Sequence, residues 1–378
     1  MTRRNVPNEH SGPNRTLGGA LPLDGVSARS AKAFSDHLAF VQSEIERRLR
    51  ACWEIKLREV RGHGPEVVTM ATAARDLTLR GGKRFRAALL ATAYAGAAPR
   101  AKIEIALEAG VAIELLQTYL LIQDDWMDDD PIRRGGPSVH VVLGRAFRSA
   151  RHGYSAAILS SDLTWGLALA TLTAIDAPAA RLIATIRLFA EVHEHVVFGQ
   201  QLDLLGSADD VEKMHALKTG SYTVRGPLLL GATLAGGDTN LLAALARFAE
   251  PLGVAFQLRD DLLGAFGKKA NTGKAEGGDL RAGKRTALLA EAEGRLDKAE
   301  RRALKRVLGR SDANRAAIAA ATRALETCGA RAAVELRLAQ LCAEADALAV
   351  ELPLAARARA ILRGAAGALN LPRAEAPR

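Results

Sequence analysis

The sequence predicts an all-α fold, and three observations lead to this prediction. Hydrophobic residues make up 48% of the 378 residues, which is enough for a sizeable core, whereas aromatic residues make up only 4%. Alanine and leucine dominate, strand-forming residues are sparse, and long segments show helical periodicity. Proline and glycine separate these segments at Gly62 to Pro65, Gly81-Gly82, Gly135 to Pro137, Gly236-Gly237 and Gly267 to Gly283. We therefore expect helices assembled around a core or a cavity.

The ends of the chain differ from its middle in composition. Residues 1–28 are rich in Gly, Pro, Asn and Arg, which is typical of a disordered arm, and residues 366–378 have the character of a flexible tail. Between them, over residues 29–365, no change in composition marks a domain boundary and no repeat of fixed period occurs. We therefore expect a single domain there.

Several features bear on where the chain works. No apolar run approaches the ~20 residues that a membrane span needs, and the N-terminus lacks the compact apolar core of a secretory signal. Its Arg and Ser content is only weakly similar to that of a transit peptide. The three cysteines, Cys52, Cys328 and Cys342, are widely spaced, so neither a disulfide framework nor a zinc site is expected. We expect a cytoplasmic protein without a membrane span.

The net charge of +10 indicates an anionic partner. Nucleic acid is not expected, because the basic residues are gathered neither with stacking aromatics nor into a recognisable nucleic-acid motif. Much of the excess lies after residue 300, where solvated helix faces are the simpler interpretation. A phosphorylated substrate or an anionic surface remains open.

A cluster of aspartates ends the apolar stretch at residues 102–128, which we predict to be one helix. Asp124 and Asp128 are four residues apart and share a helix face, with Asp125 beside them. Stacked carboxylates repel each other unless a cation neutralises them, and their hard oxygen atoms suit Mg²⁺. An acidic, solvated helix end is the alternative. An EF-hand is a poor fit, because the aspartate spacing is wrong and neither Gly at the sixth position nor Glu at the twelfth is present.

A second aspartate pair ends another apolar helix, FQLRDDLLGAFG at residues 256–267. Asp260 and Asp261 would face the first cluster if the two helices line one cavity. The loop KKANTGKAEGGDLRAGKRT follows, and it is not a Walker A loop because Thr272 and Ala275 break the register. We predict a flexible lid that carries Lys274 and Lys284. Such an arrangement favours several metal ions and an anionic ligand between the helices.

Six motifs in consistent order give the chain a resemblance to the trans-isoprenyl diphosphate synthases, also called polyprenyl synthetases. The resemblance covers roughly residues 35–365. Its motifs are GGKRFR (81–86), DDWMD with RRGGP (124–137), GQQLDL (199–204), KTGSY (218–222), FQLRDD (256–261) and GDLRAGKRT (278–286). It implies a bundle of the isoprenoid synthase type around a deep central cavity, and an expected homodimer.

The resemblance also implies an activity, the Mg²⁺-dependent head-to-tail condensation of isopentenyl diphosphate with an allylic diphosphate by a prenyltransferase. About three Mg²⁺ ions would bind with the allylic diphosphate. The matching metal ligands are Asp124, Asp128 and Asp260, with Asp125 assisting. Cations for the allylic diphosphate match Arg133, Lys218, Lys274 and Lys284. Residues for isopentenyl diphosphate match Lys83, Arg86, Arg134 and Gln117, and polar residues around the allylic group match Gln200, Thr219 and Gln257. Asp124, Asp125, Asp128, Arg133, Lys218, Asp260 and Lys274 are thus the expected catalytic residues.

Two residues before the first aspartate cluster bear on product length. The prenyl tail should run along the same helix, so that residues about 5.4 Å or more before Asp124 form the pocket floor. Tyr119 lies five residues before Asp124 and Leu120 four. A chain with an aromatic residue five positions before the first aspartate, and none four positions before it, resembles the members of the family that make geranylgeranyl diphosphate (C20). Ordinary core packing of Tyr119 is the alternative. Farnesyl diphosphate (C15) is the second candidate product, and C25 or a mixture stays open.

Four positions depart from the family pattern. Gly264 replaces the third aspartate of the second motif, Lys268 follows Gly267 where an acidic residue is common, and Ala87 and Gln123 replace Pro and His. The missing carboxylate at 264 leaves a non-catalytic regulatory subunit as an alternative. A terpene cyclase is disfavoured because FQLRDD and GGKRFR occur together. The eight histidines show no metal spacing, and His193 and His195 are expected in core or surface roles.

Overall fold

The computed structural model describes residues 27–205, 214–267 and 277–370. Its first half is a run of helices broken by one small hairpin. In chain order the elements are α1 (Ala28–Val60), α2 (Pro65–Leu79), α3 (Phe85–Ala97), α4 (Ile103–Met127), β1 (Ile132–Arg133), β2 (Gly136–Pro137), α5 (Val139–Ala146), α6 (Ala150–Thr173) and α7 (Ala179–Leu205). The two strands pair antiparallel, with Ile132 opposite Pro137.

The second half begins with a π-helical segment, Ala216–Arg225, which continues directly into α8. The later elements are α8 (Gly226–Ala235), α9 (Thr239–Phe266), α10 (Gly278–Ala282), α11 (Ala287–Ala292), α12 (Lys298–Lys305), α13 (Arg315–Thr327), α14 (Ala330–Glu351) and α15 (Ala356–Leu369). Side chains cap several helices at the N-terminus: Asp238 accepts from the Leu241 backbone at the start of α9, and Asp297 and Glu300 form a capping box at α12. The prediction of an all-α fold is confirmed.

The helices enclose two buried clusters of apolar side chains. One is built around α1 to α4, α6 and α7, with Trp53, Leu116 and Phe189 among its buried residues. The other is built around α9 and α14, with Phe248 and Leu338. Helix α3 packs on α8 and α4 packs on α6, so that α3 and α8 join the two clusters. The polar ends of α4 and α9 therefore project from packed helices, which holds their aspartates in place.

The aspartate-bearing helix follows the sequence prediction closely, since α4 spans Ile103–Met127 and the prediction was 102–128. The predicted tail boundary differs from the structure. Helix α15 runs to Leu369, and Ala366 and Leu369 are buried. Glycine explains the difference, because Gly364 lets α15 approach α1 so closely that a Cβ atom at 364 would lie 2.2 Å from the Ser30 carbonyl oxygen. The composition predicted a flexible tail from residue 366, but the small residues of α15 allow it to pack tightly as far as Leu369.

In the described part of the chain, three helices are long and apolar enough to cross a membrane by length and composition alone: α4, α6 and α9. Each of them contains a few charged or polar residues that interrupt the apolar run, so the sequence did not indicate a span there. In α4, 72% of the most apolar window is buried inside the protein, compared with 39% in α6 and 50% in α9. Packing against other helices therefore accounts for most of the apolar character of α4.

Candidate active site

The first aspartate cluster lies at the C-terminal end of α4 and is neutralised by cations from three other segments. Arg133, from the β1–β2 hairpin, donates through Nε to Asp125 Oδ1 at 2.5 Å and through Nη2 to Asp124 Oδ2 at 3.1 Å. Lys218 Nζ lies 3.3 Å from Asp124 Oδ1, and Lys284 Nζ lies 3.1 Å from Asp128 Oδ2. The structure thus brings together all of these predicted residues, which lie up to 160 positions apart in the sequence.

The cations act differently on the two neighbouring aspartates, since burial raises the pKa of Asp125 to about 6 despite Arg133. Burial opposes ionisation of Asp124, yet Lys218, Lys284 and Arg133 together hold the pKa of its carboxyl below the usual value. Burial also opposes the charge of Lys284, but Asp124, Asp128 and Asp279 raise its pKa well above the ordinary lysine value. At neutral pH the site therefore holds charged carboxylates against charged ammonium and guanidinium groups.

The π-helical segment places Lys218 by close backbone packing against α7. Gly199 on α7 has no side chain, and a Cβ atom there would lie only 2.3 Å from the Lys218 backbone nitrogen. Lys218 also pairs with Asp203, one turn further along α7. Irregular helical turns of this kind occur often at functional sites. Gln200 and Thr219 flank this junction as half-buried residues, while Lys274 lies outside the described residues.

The second aspartate pair divides into two different environments. Asp260 is exposed, whereas Asp261 is buried and accepts hydrogen bonds from Gln257 Nε2 at 2.7 Å and from the Ala287 backbone N–H at 2.9 Å. The expectation that both would face the first cluster is therefore wrong for Asp261, because its carboxylate caps the start of α11. One N–H of the Gln257 side-chain amide is therefore already donated to Asp261. Asp260 is left as the carboxylate of this pair available to a ligand.

Gly264 lies one helical turn after Asp260, and its missing side chain is replaced in space by Asp279. A Cβ atom at Gly264 would fall 1.7 Å from Asp279 Oδ2 and 2.5 Å from its Cγ. Asp279 comes from the first turn of α10 and is one of the charges that raise the pKa of Lys284. A carboxylate therefore occupies the place of the side chain that the family pattern puts at 264, although it is carried by another element.

The residues fit Mg²⁺ shared with a diphosphate, but they do not form a complete metal cage. Among the residues that the structure describes, no group of three carboxylate, imidazole or thiol side chains could hold a metal ion. Asp125 Oδ2 is nevertheless buried without a hydrogen bond, and Asp124 and Asp128 offer hard oxygen atoms that Lys218, Arg133 and Lys284 now partner. Mg²⁺ is usually bound through one or two carboxylates together with substrate phosphates, which matches this donor set.

A second region, rich in cations, borders Asp260 and forms a cavity of about 270 Å³. Its lining includes Lys83, Arg86, Gln117, Arg134, Arg259 and Asp260. Arg86 donates to Gln117 Oε1 at 2.8 Å and to Thr223 Oγ1 at 2.7 Å, and its guanidinium lies 4.2 Å from the centre of the Tyr222 ring. None of these partners carries a negative charge, so the positive charge of Arg86 remains available to an anion.

Backbone strain and a buried ion pair shape the wall of this cavity. Gly81 and Gly82 have positive φ angles of 86° and 147°, and Arg84 adopts the left-handed region at 49°. Arg84 is held there by Glu114 at 3.0 Å and Glu46 at 2.7 Å. Burial and the neighbouring Arg84 lower the pKa of Arg134 to about 10. The cavity therefore presents the side chains of Lys83, Arg86 and Arg134, none of which forms a salt bridge with a carboxylate in the described part of the chain.

Tyr119 belongs to an aromatic cluster formed with Trp165, Phe189 and His193. Its ring is 8% exposed, and its hydroxyl lies 3.1 Å from His193 Nε2. Trp165 stacks on His193 with ring centres 4.3 Å apart and on Phe189 at 5.5 Å. The cluster joins α4, α6 and α7 one to two turns before Asp124. Leu120, the residue after Tyr119, is half-buried. His193 is also half-buried and packs within the aromatic cluster.

Sequence reasoning missed several residues that complete these sites. Glu46 and Glu114 hold Arg84, Asp203 pairs with Lys218, and Asp279 fills the space at Gly264. Each contact joins two different segments of the chain, 15 to 38 positions apart, so the spacing of residues within one helix carried no sign of it. A buried glutamate inside the apolar run of α4, Glu114, was the one available signal, because a buried charge needs a partner.

Comparison with known proteins identifies relatives along most of the chain. The family model for polyprenyl synthetase matches residues 67–325. A probable farnesyl diphosphate synthase of Sinorhizobium fredii is 35% identical over 286 residues, which cover 72% of this chain and 81% of the relative. A geranylgeranyl diphosphate synthase of Methanosarcina mazei is 30% identical over 264 residues, covering 68% of this chain and 76% of the relative.

The fold agrees with these matches. The crystal structure of a geranylgeranyl pyrophosphate synthase from Corynebacterium glutamicum, complexed with isoprenyl diphosphate and magnesium, superposes with a TM-score of 0.81. It is 32% identical, and the match covers 86% of this chain and 97% of that one. The likeness therefore extends over most of both chains.

Proposed function

Since this chain belongs to the polyprenyl synthetase family, we propose that its prenyltransferase activity ends at the C20 product, geranylgeranyl diphosphate. The chain is a prenyl diphosphate synthase, and the family is Mg²⁺-dependent. Its relatives include both geranylgeranyl and farnesyl diphosphate synthases. Membership of the family therefore leaves open which of the two products this chain makes. We further propose a single catalytic domain in a cytoplasmic protein.

The aromatic cluster around Tyr119 is the observation that carries the C20 proposal. A tail that grows from the aspartate cluster along α4 meets Tyr119 five residues before Asp124, about 7.5 Å away by helix rise. The hydrogen bond to His193 and the neighbouring Trp165 ring hold Tyr119 in place. Leu120, one position later, is aliphatic and half-buried, so a second ring does not shorten the pocket further. This arrangement supports a floor that admits C20 and stops longer chains.

We assign the allylic diphosphate to the neutralised aspartate cluster. Asp124 and Asp128, with Asp260 opposite, would hold about three Mg²⁺ ions, which supply positive charge to the departing diphosphate. Arg133, Lys218 and Lys284 would then turn from the carboxylates toward the phosphate oxygens, with Lys274 as a further cation. As the allylic C–O bond breaks, these groups stabilise the negative charge that develops on the leaving diphosphate. Gln200, Thr219 and Gln257 would line the allylic group.

We assign isopentenyl diphosphate to the cation-rich cavity. Lys83, Arg86 and Arg134 would bind its diphosphate, with Gln117 positioned by Arg86. Its double bond would attack the allylic carbon from this side, and the released diphosphate would accept the proton that is lost. A charge contact is worth several times more in a site shielded from water than in bulk solvent, so closure around both substrates is part of the proposal.

A product assay tests this proposal. Purified protein with Mg²⁺ receives isopentenyl diphosphate and, separately, dimethylallyl, geranyl or farnesyl diphosphate, and chain length is determined by mass spectrometry. A C20 diphosphate from each starter is expected. A C15 end product would favour the farnesyl alternative. The similarity to the farnesyl diphosphate synthase of Escherichia coli, 35% identical over 236 residues, is the reason to consider it. Absence of elongation from every starter by folded protein would contradict the catalytic assignment and favour a regulatory subunit.

We also propose a homodimer. Large apolar side chains stay exposed on α6 and α7, where Leu159 is 59%, Ile183 51%, Val197 46% and Phe198 53% exposed. Ile183 and Val197 are fourteen residues apart on α7, which places them on the same helix face, with exposed Arg187 and Glu194 between them. Exposed apolar side chains rimmed by polar residues mark interaction sites in soluble proteins. A second copy of the chain would cover it.

A further inference from the structure

Two basic residues of the cation-rich cavity, Arg84 and Arg259, have no role implied by the family resemblance. Arg84 is already paired with Glu46 and Glu114, which leaves Arg259. It lies on α9 directly before Asp260 and lines the same cavity as Lys83, Arg86 and Arg134. No salt bridge between these four side chains and a carboxylate occurs in the described part of the chain. Glu114, which also lines the cavity, is engaged by Arg84. Besides the paired Arg84, the cavity wall therefore carries four cationic groups, with Asp260 as the nearby counter-charge.

The guanidinium of Arg259 is only partly used by the protein. Nη1 donates to the Ala368 carbonyl oxygen at 2.8 Å, in the last turn of α15. Nε is buried and has no hydrogen-bond partner among the described residues. Burial lowers the pKa of Arg259, and the charge of Asp260 offsets part of this effect. A charged group left in this condition costs free energy in the free protein, which an anionic ligand in the cavity would recover.

Arginine suits such a position better than lysine. Its planar guanidinium offers five N–H donors in a rigid arrangement, so that one edge can hold a carbonyl oxygen while another faces a phosphate. Ala368 and Leu369 also line the cavity. The same side chain therefore connects the anion site to the C-terminal end of α15.

We propose that Arg259 binds the diphosphate of isopentenyl diphosphate together with Lys83, Arg86 and Arg134, and at the same time fixes the end of α15 at the cavity. This proposal rests on the function proposed above, and it adds a binding residue on the helix that also carries Asp260. The diphosphate would accept from the guanidinium edge that the Ala368 carbonyl oxygen leaves unused. Binding of isopentenyl diphosphate would then order the C-terminal helix through one guanidinium.

Direct binding of isopentenyl diphosphate alone tests the proposal, because this substrate does not react without an allylic partner. Calorimetry is done on the full chain and on Arg259→Gln, Arg259→Lys and two control variants. Arg247→Gln removes an exposed charge from the same helix. Arg363→Gln removes a different anchor of α15, the ion pair with Asp346 at 2.8 Å, without touching the cavity.

We expect Arg259→Gln to weaken binding about 10- to 100-fold, as loss of a charge-assisted hydrogen bond does. Arg259→Lys should weaken binding less, because lysine keeps the positive charge and loses only the rigid arrangement of guanidinium N–H donors. Both control variants should bind isopentenyl diphosphate as the parent does. In steady state the KM for isopentenyl diphosphate should rise while the KM for the allylic diphosphate stays unchanged. Hydrogen exchange over residues 356–370 should slow with isopentenyl diphosphate in the parent and not in Arg259→Gln.

Other outcomes separate the possible failures. Unchanged binding by folded Arg259→Gln would overturn the assignment of Arg259. An equal loss in Arg363→Gln would also overturn it, because Arg259 would then act only by anchoring α15. If the parent protein itself neither binds isopentenyl diphosphate nor elongates any starter, the proposed function fails before the role of Arg259 is reached. If Arg259→Gln does not fold, Arg259→Lys and the hydrogen exchange of the parent still decide the question.

Discussion

At the scale of single residues, the side chain of Asp279 occupies the space that a side chain at Gly264 would fill, so the two positions are coupled. A Cβ atom at 264 would lie 1.7 Å from Asp279 Oδ2, so restoring the family's aspartate as Gly264→Asp crowds two carboxylates into one site. We expect this variant to be less stable by about 1–3 kcal/mol and to bind inorganic diphosphate more weakly with Mg²⁺. Thermal melting and calorimetry with Mg²⁺ and inorganic diphosphate measure both effects.

The double variant Gly264→Asp/Asp279→Gly provides the matched control. It moves the carboxylate from α10 back to α9 and should recover much of both losses, because the two changes share one volume. Simple addition of the two single-variant effects would contradict the coupling.

Tyr119 sets the second residue-scale prediction, on product length. Tyr119→Ala removes the ring from the pocket floor, and we expect C25 and longer diphosphates in place of C20. Tyr119→Phe removes only the hydroxyl bonded to His193 and should keep C20 as the main product, because the ring remains. Mass spectrometry of products made from farnesyl diphosphate measures this. An unchanged product from active Tyr119→Ala would mean that Tyr119 serves core packing only.

At the scale of secondary-structure elements, the junction of α7 with the π-helical segment depends on Gly199. A Cβ atom there would lie 2.3 Å from the Lys218 backbone nitrogen, so Gly199→Ala should push the segment away and move Lys218 from Asp124. We expect a loss of stability of about 1–3 kcal/mol and a higher KM for the allylic diphosphate. Gly166→Ala on α6, where nothing lies within 4 Å, is the control. Equal behaviour of the two variants would refute the packing argument.

His37 joins α1 to α3 and makes their packing sensitive to pH. Its Nε2 lies 3.1 Å from the Ala88 carbonyl oxygen and 3.0 Å from Thr92 Oγ1. Burial lowers the pKa of His37 below 6.5, and nearby Arg357 acts in the same direction. The folded state thus favours neutral imidazole, so its stabilising effect is present above pH 6.5 and is lost as the pH falls toward the lower folded-state pKa.

We therefore expect the free energy of unfolding to fall between pH 7.5 and pH 5.5 (about two units around the ordinary histidine pKa), and to fall less in His37→Gln. Urea titrations at both pH values measure the difference, with exposed His152→Gln as the control. The same pH dependence in His37→Gln as in the parent protein would assign the effect to other groups.

The elements also show which features the sequence could predict. Helix α4 and the clustering of Asp124 with Asp128 follow from local periodicity, which depends on residues a few positions apart. The role of Asp261 could not be foreseen, because the backbone N–H that it accepts belongs to Ala287 across the loop. Likewise, Arg259 reaches Ala368, 109 positions away. Contacts of this range are set by helix packing, and a single sequence does not encode them in any local pattern.

At the scale of the whole molecule, the exposed apolar face of α6 and α7 is the feature that the isolated chain leaves unexplained. Both helices contribute aromatic residues to the cluster around Tyr119, so their outer faces lie behind the proposed pocket floor. Covering these faces with a second copy would bury apolar surface, which favours association, and would also stiffen the helices that carry Trp165 and His193. Assembly and product length are then connected through the same two helices.

We therefore predict that Val197→Glu/Phe198→Glu yields a monomer, because association would bury two carboxylates without partners. Sedimentation or light scattering measures the mass, and Leu336→Glu, at a residue 59% exposed on α14, is the control that should keep the assembly of the parent. The monomeric variant should retain helical content but make a broader range of chain lengths, since the floor helices lose their support. A parent protein that is monomeric at micromolar concentration would contradict the dimer, and an unaltered product pattern in the monomer would separate assembly from chain-length control.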